Sequence, residues 1–207
     1  MGGAATSGGG VEHAGDVHVV LASASPRRRE LLGQLGVTFS VHPADIDESV
    51  HDREDPVAYV RRLSAEKATV VLDRLADELA VVIAADTTVD LDGRILGKPE
   101  DRDDAAAMLR DLSARTHRVH TGVTVAHRGE RVTDVTTTLV TFTPVTDAAL
   151  RWYLDSGEPF DKAGAYAIQG AGGVFVESVR GSVSNVVGFP LTSVVVLARR
   201  LGVELVG

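Results

Sequence analysis

The run Val81 to Ala85 reads VVIAA, apolar at odd and even positions alike. A strand sends successive side chains to opposite faces, so a run with no polar alternation has to be covered on both sides. That predicts a central strand in a sheet with helices above and below, and it obliges the rest of the chain to supply those layers. Val17 to Ala22 is a short β-branched run, followed by a loop at Ser23-Ala24-Ser25 and a helical pattern in which Leu31, Leu32 and Leu35 share a face. Gly36 closes that helix and Val37 to Val41 is extended again. A longer helix is expected from Asp55 or Pro56 to about Leu79. Asp92-Gly93 between the extended flanks of Val89 to Leu96 is a tight-hairpin signal. Asp101 to Leu112 predicts a helix, and Val119 to Ala126 and Val132 to Phe142 form a second hairpin about His127-Arg128-Gly129-Glu130. A short helix over Thr146 to Asp155, a Gly-rich stretch from Gly164 to Gly173, a strand over Val174 to Val179 and a last helix from Pro190 to Leu201 complete the order. Such an order is α/β with several antiparallel pairs, hence a mixed sheet. Met1 to Asp16 is Gly-rich without apolar periodicity and is expected to be a disordered tail, leaving residues 17–207 as one body with no linker to divide it.

Composition removes several function classes. The net charge of −8 argues against a basic surface for nucleic acid, so any anion has to be met by a local basic site. With no cysteine there is no disulfide framework, no thiolate metal site and no cysteine nucleophile. No apolar run approaches the roughly 18 residues of a membrane span, and the start lacks a signal-peptide pattern. The expectation is a soluble cytoplasmic protein without a membrane partner. Only three of the 21 basic residues are lysine, namely Lys67, Lys98 and Lys162. A lysine is a compact point charge where arginine is a planar fork, so the exceptions are either chosen for geometry or chance on a solvated surface.

Three segments carry chemistry. In Ser23-Ala24-Ser25-Pro26-Arg27-Arg28-Arg29, Ser25 as N-cap puts Pro26 at the first helical position, where a missing amide hydrogen costs nothing. Three arginines then sit at the positive end of the helix dipole, where acids are normally preferred. Either they point into water, or an anion is held there by free amides, two hydroxyls and a guanidinium. Asp86, after the buried run, is placed for metal ligation or for taking a proton from water, or else is a turn-forming aspartate at a strand end. Gly97-Lys98-Pro99 imitates a phosphate loop but has Pro99 where a magnesium-binding hydroxyl belongs, so it is no P-loop; Lys98 can still be aimed at phosphate by the stiff turn. Asp45, Asp47 and Glu48 match no Ca²⁺ loop and stand as a solvated face or a hard-cation site. The seven histidines show no zinc pattern, and GxSxG and GxGxxG are absent.

These segments, together with Ala65-Glu66-Lys67-Ala68, His120-Thr121-Gly122-Val123, the stretch Asp161 to Gly170 and the stretch Gly181-Ser182 through Gly188-Phe189-Pro190-Leu191, resemble the Maf proteins, in the same order and over nearly everything after the tail. The resemblance implies an elongated mixed sheet with flanking helices, similar to the inosine triphosphatases, with two lobes around a cleft. It implies a nucleoside triphosphate pyrophosphatase that splits the α–β phosphoanhydride with Mg²⁺ or Mn²⁺. By resemblance Asp86 is the proton acceptor and, with Glu48, a metal ligand, while Ser23, Ser25, Arg28, Lys67 and Lys98 surround the triphosphate. Arg27, Thr87 and Gln169 read as the dTTP/UTP branch, and an amide at Gln169 suits a uracil or thymine edge. Val183, Phe189 and Thr88 depart from the usual pattern, Thr88 standing where Val or Ile is common. The resemblance also suggests a homodimer. Two other readings stay open: a nucleotide-binding regulator of septation with little hydrolysis, and an inosine/xanthosine triphosphate pyrophosphatase.

Overall fold

A computed structural model describes residues 11–75, 77 and 79–207. The elements run β1 (Glu12–His13), β2 (Val19–Leu21), α1 (Pro26–Gly33), β3 (Phe39–Val41), α2 (Pro56–Arg74), β4 (Val81–Leu91), β5 (Arg94–Leu96), α3 (Arg102–Leu112), β6 (Thr116–His127), β7 (Glu130–Phe142), α4 (Asp147–Asp155), β8 (Val176–Arg180), α5 (Val183–Val187), α6 (Leu191–Arg200) and β9 (Val203–Glu204). The main sheet has seven strands in the order β3-β2-β4-β6-β7-β8, with β5 paired to β4 off that path. β2 is parallel to β3 and β4, and the pairings β4 to β5, β4 to β6, β6 to β7 and β7 to β8 are antiparallel. The sheet is mixed, as the element order predicts.

Both hairpins form where their turns are encoded. Asp92 and Gly93 have φ of 56° and 87°, and Arg128 and Gly129 have 50° and 78°. Two consecutive positive φ values match the right-handed twist of the flanking strands, which is why Asp-Gly and a Gly in second place suit these loops.

Several boundaries differ from the sequence reading. The VVIAA run does not end at Ala85, because β4 continues without a break through Asp86 to Leu91. β6 pairs with it from Val82 to Asp90, and that long ladder carries the strand through its polar residues. α2 stops at Arg74, and Leu75 caps it in extended backbone. Of the tail, Met1 to Gly10 lie outside the described residues, but Glu12–His13 pair in parallel with Val203–Glu204. Glu12 there accepts from buried His127 (2.9 Å) and from Arg128 (2.6 Å), interactions between residues far apart in sequence. Residues Ala171 to Phe175 form a 3-10 turn, so β8 starts at Val176.

Apolar packing is interrupted at one level of the sheet on both faces. On the first face Val81, Ile83, Ala85, Val123 and Val125 join Leu32, Val194 and Leu197 in one core, whereas Val89, Leu91 and Val119 join Leu109, Phe142 and Tyr153 in another. Thr87 and Thr121 lie between these cores and hydrogen-bond each other at 2.9 Å. On the second face, α2 covers Val82 and Ala84 with Ala68 and Val71, and further along Tyr59, Val60 and Leu63 form a separate cluster. Asp86 and Gly122 fall in the interval. Two lobes, each with its own core, thus meet at a polar seam spanned by β4 and β6.

Candidate active site

The seam opens into a cleft because of how β4 is paired. One edge carries β6 throughout, while the other carries β2 at Val81–Ile83 and β5 at Val89–Leu91. Between them, among the described residues, Ala84 to Thr88 has no strand on that edge. The gap forms a cavity of about 520 Å³ lined by all ten residues singled out from the sequence: Ser23, Ser25, Arg27, Arg28, Glu48, Lys67, Asp86, Thr87, Lys98 and Gln169. Its volume lies in the range of small-molecule sites. Asp86 is thus a mid-strand residue beside a gap, not a turn former at a strand end. Asp45 and Asp47 are exposed and do not line the cleft.

α1 begins as its sequence dictates. Ser25 is the N-cap and accepts from the Arg28 amide, with Pro26 in the first turn. The three arginines that follow part ways. Arg29 is exposed. Arg28 turns inward: Nε donates to Gly188 O (2.9 Å), Nη1 to Ser23 Oγ (3.2 Å) and Nη2 to Thr87 Oγ1 (3.1 Å). Gly188, with φ of 103°, ends α5 in a conformation that a side chain would strain, and its carbonyl is then free for Arg28. Burial lowers the Arg28 pKa, against the opposing pull of Asp86 and Glu48. Arg27 crosses the cleft mouth and donates from Nη1 to Asp161 Oδ2 at 3.2 Å. Asp161 also pairs with Lys162, whose Nζ donates to Glu158 O at 3.1 Å.

The opposite wall comes from α2. An added Cβ on Gly122 would lie 2.2 Å from Val60 O, so the bare glycine lets the helix rest directly on β6. Gly122 is the register partner of Asp86, and Lys67 lies two turns along from Val60 on the same helix face. The Lys67 ammonium therefore reaches Asp86 Oδ1 and Glu48 Oε1, each at 2.6 Å. The two carboxylates respond differently because their side chains are 8 % and 47 % exposed, respectively. At Asp86 burial dominates and raises the pKa, although Lys67 and Arg28 oppose it. At Glu48 burial also pushes upward, but Lys67, Lys98 and Arg28 together outweigh it and the pKa is lowered. Tyr59, which donates to Glu48 O at 2.9 Å, is pushed up to about 12 by burial and by the negative charge of Asp86 and Glu48.

These donors fit a hard divalent cation. The two carboxylates already converge on one positive group, and Mg²⁺ is characteristically held by one or two carboxylates plus substrate phosphate oxygens. Among the described residues no group of three or more His, Cys, Asp or Glu is gathered for a metal, so a cage made of protein alone is not offered.

Gln169 is exposed at the cleft rim on a loop braced by Glu158. Glu158 Oε1 accepts from Tyr153 OH (2.7 Å) and the Gly172 amide (3.0 Å), and Oε2 accepts from the Ala171 amide (3.0 Å). Sequence reasoning missed this brace, and it missed Tyr59, Asp161 and Tyr166 in the cleft lining. An acidic residue followed by a Gly-rich stretch was the available signal for the brace. Asp161 and Tyr166 stand in the stretch Asp161 to Gly170 that carries the resemblance, without an assigned role there, and nothing local marks Tyr59.

Comparison with known proteins gives three findings. The family model of Maf-like proteins matches residues 18–201. A dTTP/UTP pyrophosphatase of Myxococcus xanthus (strain DK1622) is 56% identical over 90% of this chain and 94% of its own, and one of Anaeromyxobacter dehalogenans (strain 2CP-C) is 53% identical over 90% and 95%. Among solved structures, a nucleoside-triphosphatase / dITP/XTP pyrophosphatase from Mycobacterium abscessus aligns with a TM-score of 0.39 and 16% identity, covering 61% of this chain and 74% of that one.

Proposed function

The chain belongs to the family of Maf-like proteins, and on that premise we propose that it is a nucleoside triphosphate pyrophosphatase, hydrolysing dTTP and UTP to the monophosphate and pyrophosphate. The observation that carries the reading is the cleft itself. A molecule of net charge −8 directs Arg28, Lys67, Lys98 and Lys162 to one cavity that also holds a buried carboxylate. A triphosphate carries about four negative charges, and attack by water on phosphorus needs that charge offset.

In this reading Lys67, Lys98 and Arg28 bind the phosphate oxygens, and the free amides at the start of α1 assist with Ser23 and Ser25. Lys67 gains phosphate partners as the substrate enters, which loosens its hold on Asp86 and Glu48. Asp86 accepts a proton from the water that attacks the α-phosphorus, and the bond from that phosphorus to the bridging oxygen breaks, so pyrophosphate leaves among the cations. The upward pull of burial on Asp86 suits it to this task, because a base with a higher pKa binds the proton more firmly. Glu48 would hold Mg²⁺ or Mn²⁺, with Asp86 as second ligand in the alternative where metal-bound water rather than Asp86 sheds the proton, and the ion would supply further positive charge to the phosphoryl oxygens. Arg27, Thr87 and Gln169 set the base preference, Gln169 by offering a donor and an acceptor to a pyrimidine edge.

Incubation with dTTP, UTP, CTP, GTP, ATP and ITP plus Mn²⁺, followed by pyrophosphate detection, tests the proposal. Release from dTTP and UTP well above the others is expected. Binding without release would favour a nucleotide-sensing regulator, and preference for ITP would favour an inosine/xanthosine enzyme.

A further inference from the structure

Among the described residues three buried side-chain atoms have no hydrogen-bond partner: Thr88 Oγ1, His117 Nδ1 and Asn185 Oδ1. Of these residues only Thr88 lines the cleft. It is 1 % exposed and lies two residues from Asp86 on β4, hence on the same face of the strand. Its register partner on that face is already engaged: His120 on β6 has both ring nitrogens taken, Nδ1 with Thr137 Oγ1 at 2.8 Å and Nε2 with Asp90 Oδ2 at 3.1 Å. A hydroxyl removed from water and left without a partner weakens a fold, whereas valine has the same shape without that penalty.

Thr88 also closes the stretch of β4 that has no strand on its outer edge. β5 pairs Leu96 with Val89, so Gly97 and Lys98, the next residues, run on from that pairing beside the gap, and both line the cleft. We propose that the Thr88 hydroxyl is a substrate contact, donating a hydrogen bond to a phosphoryl oxygen on the part of the polyphosphate that Lys98 neutralises. The contact rests on the pyrophosphatase reading and adds a binding residue to it.

Thr88→Val and Thr88→Ser in the full chain test it by three measurements: thermal unfolding without ligand, calorimetric binding of inorganic pyrophosphate with Mg²⁺, and steady-state hydrolysis of dTTP. A hydrogen bond to a charged group implies that Thr88→Val loses about tenfold or more in pyrophosphate affinity and in kcat/KM. Its unfolding temperature should equal or exceed that of the wild type, and Thr88→Ser should retain most of the affinity. A merely structural hydroxyl would not separate affinity from stability in this way. Wild-type affinity in Thr88→Val overturns the proposal, and so does an unfolding temperature several degrees lower, which would mean that the hydroxyl is satisfied within the fold. If the wild type itself neither binds pyrophosphate nor releases it from dTTP, the enzyme reading fails and takes this contact with it. Normal wild-type turnover with an unaffected Thr88→Val defeats the contact alone.

Discussion

His117 is a base kept where it cannot easily be charged. It is 2 % exposed, with Nε2 at 2.9 Å from Tyr166 OH and Phe142 against its ring, and burial lowers its pKa from 6.5 to about 4. The native state therefore binds fewer protons than the unfolded chain between those two values. Its contribution to stability is complete above pH 6.5 and is lost as the pH falls through that window, with an upper size of about 3 kcal/mol. Urea unfolding at pH 7 and pH 4.5 should show a larger loss for the wild type than for His117→Phe; equal losses would show that His117 titrates normally. Individual residues were legible in the sequence where their role is local. Ser25 as cap and Pro26 after it follow from helix-end chemistry, while the misplaced arginines left two outcomes open, and Arg29 is exposed where Arg28 turns inward. The unpartnered hydroxyl of Thr88, the Asp90–His120–Thr137 chain and the bridge from Lys67 to Glu48 were not legible, because each depends on the register or docking of elements distant in sequence.

Asp86 and Lys67 come from two elements, β4 and α2, and each element was partly foreseen. The apolar run marks β4 as central, but its polar continuation looked like a strand end because local pattern cannot reveal that β6 keeps pairing through Asp90. The short α5, which supplies Gly188 to Arg28, was not foreseen, since five residues carry no period to read. α2 was foreseen as a helix, but its depth on the sheet comes from Gly122, a residue of a different element. Gly122→Ala must push Val60 away and carry Lys67 with it. The expected cost is about 1–3 kcal/mol, hence a fall of a few to about ten degrees in unfolding temperature, with reduced kcat/KM for dTTP. Gly33→Ala is the control, since a Cβ there meets nothing within 4 Å, and it should leave both quantities unchanged or raise stability. Equal behaviour of the two variants would contradict the close docking of α2.

Over the whole molecule, the net charge and the cleft have opposite signs, and that contrast is the basis of the proposed chemistry. Outside the cleft, acidic residues pair with several of the arginines, as in Arg62 with Glu54 and Arg199 with Glu204, while the cleft keeps its cations together around one buried carboxylate. The two apolar cores hold the lobes apart by the width of a polar seam, so binding and folding draw on different parts of β4. Removing the Asp86 charge should consequently spare the fold: Lys67 retains Glu48 at 2.6 Å, and a neutral amide is less costly to bury than a carboxylate. The direct measurement is the rate of pyrophosphate release from dTTP by purified Asp86→Asn, with its unfolding temperature recorded beside the wild type. The account predicts a fall of about 10²–10⁴-fold in a protein that melts no lower than the wild type. Near-normal release by the folded variant would contradict it.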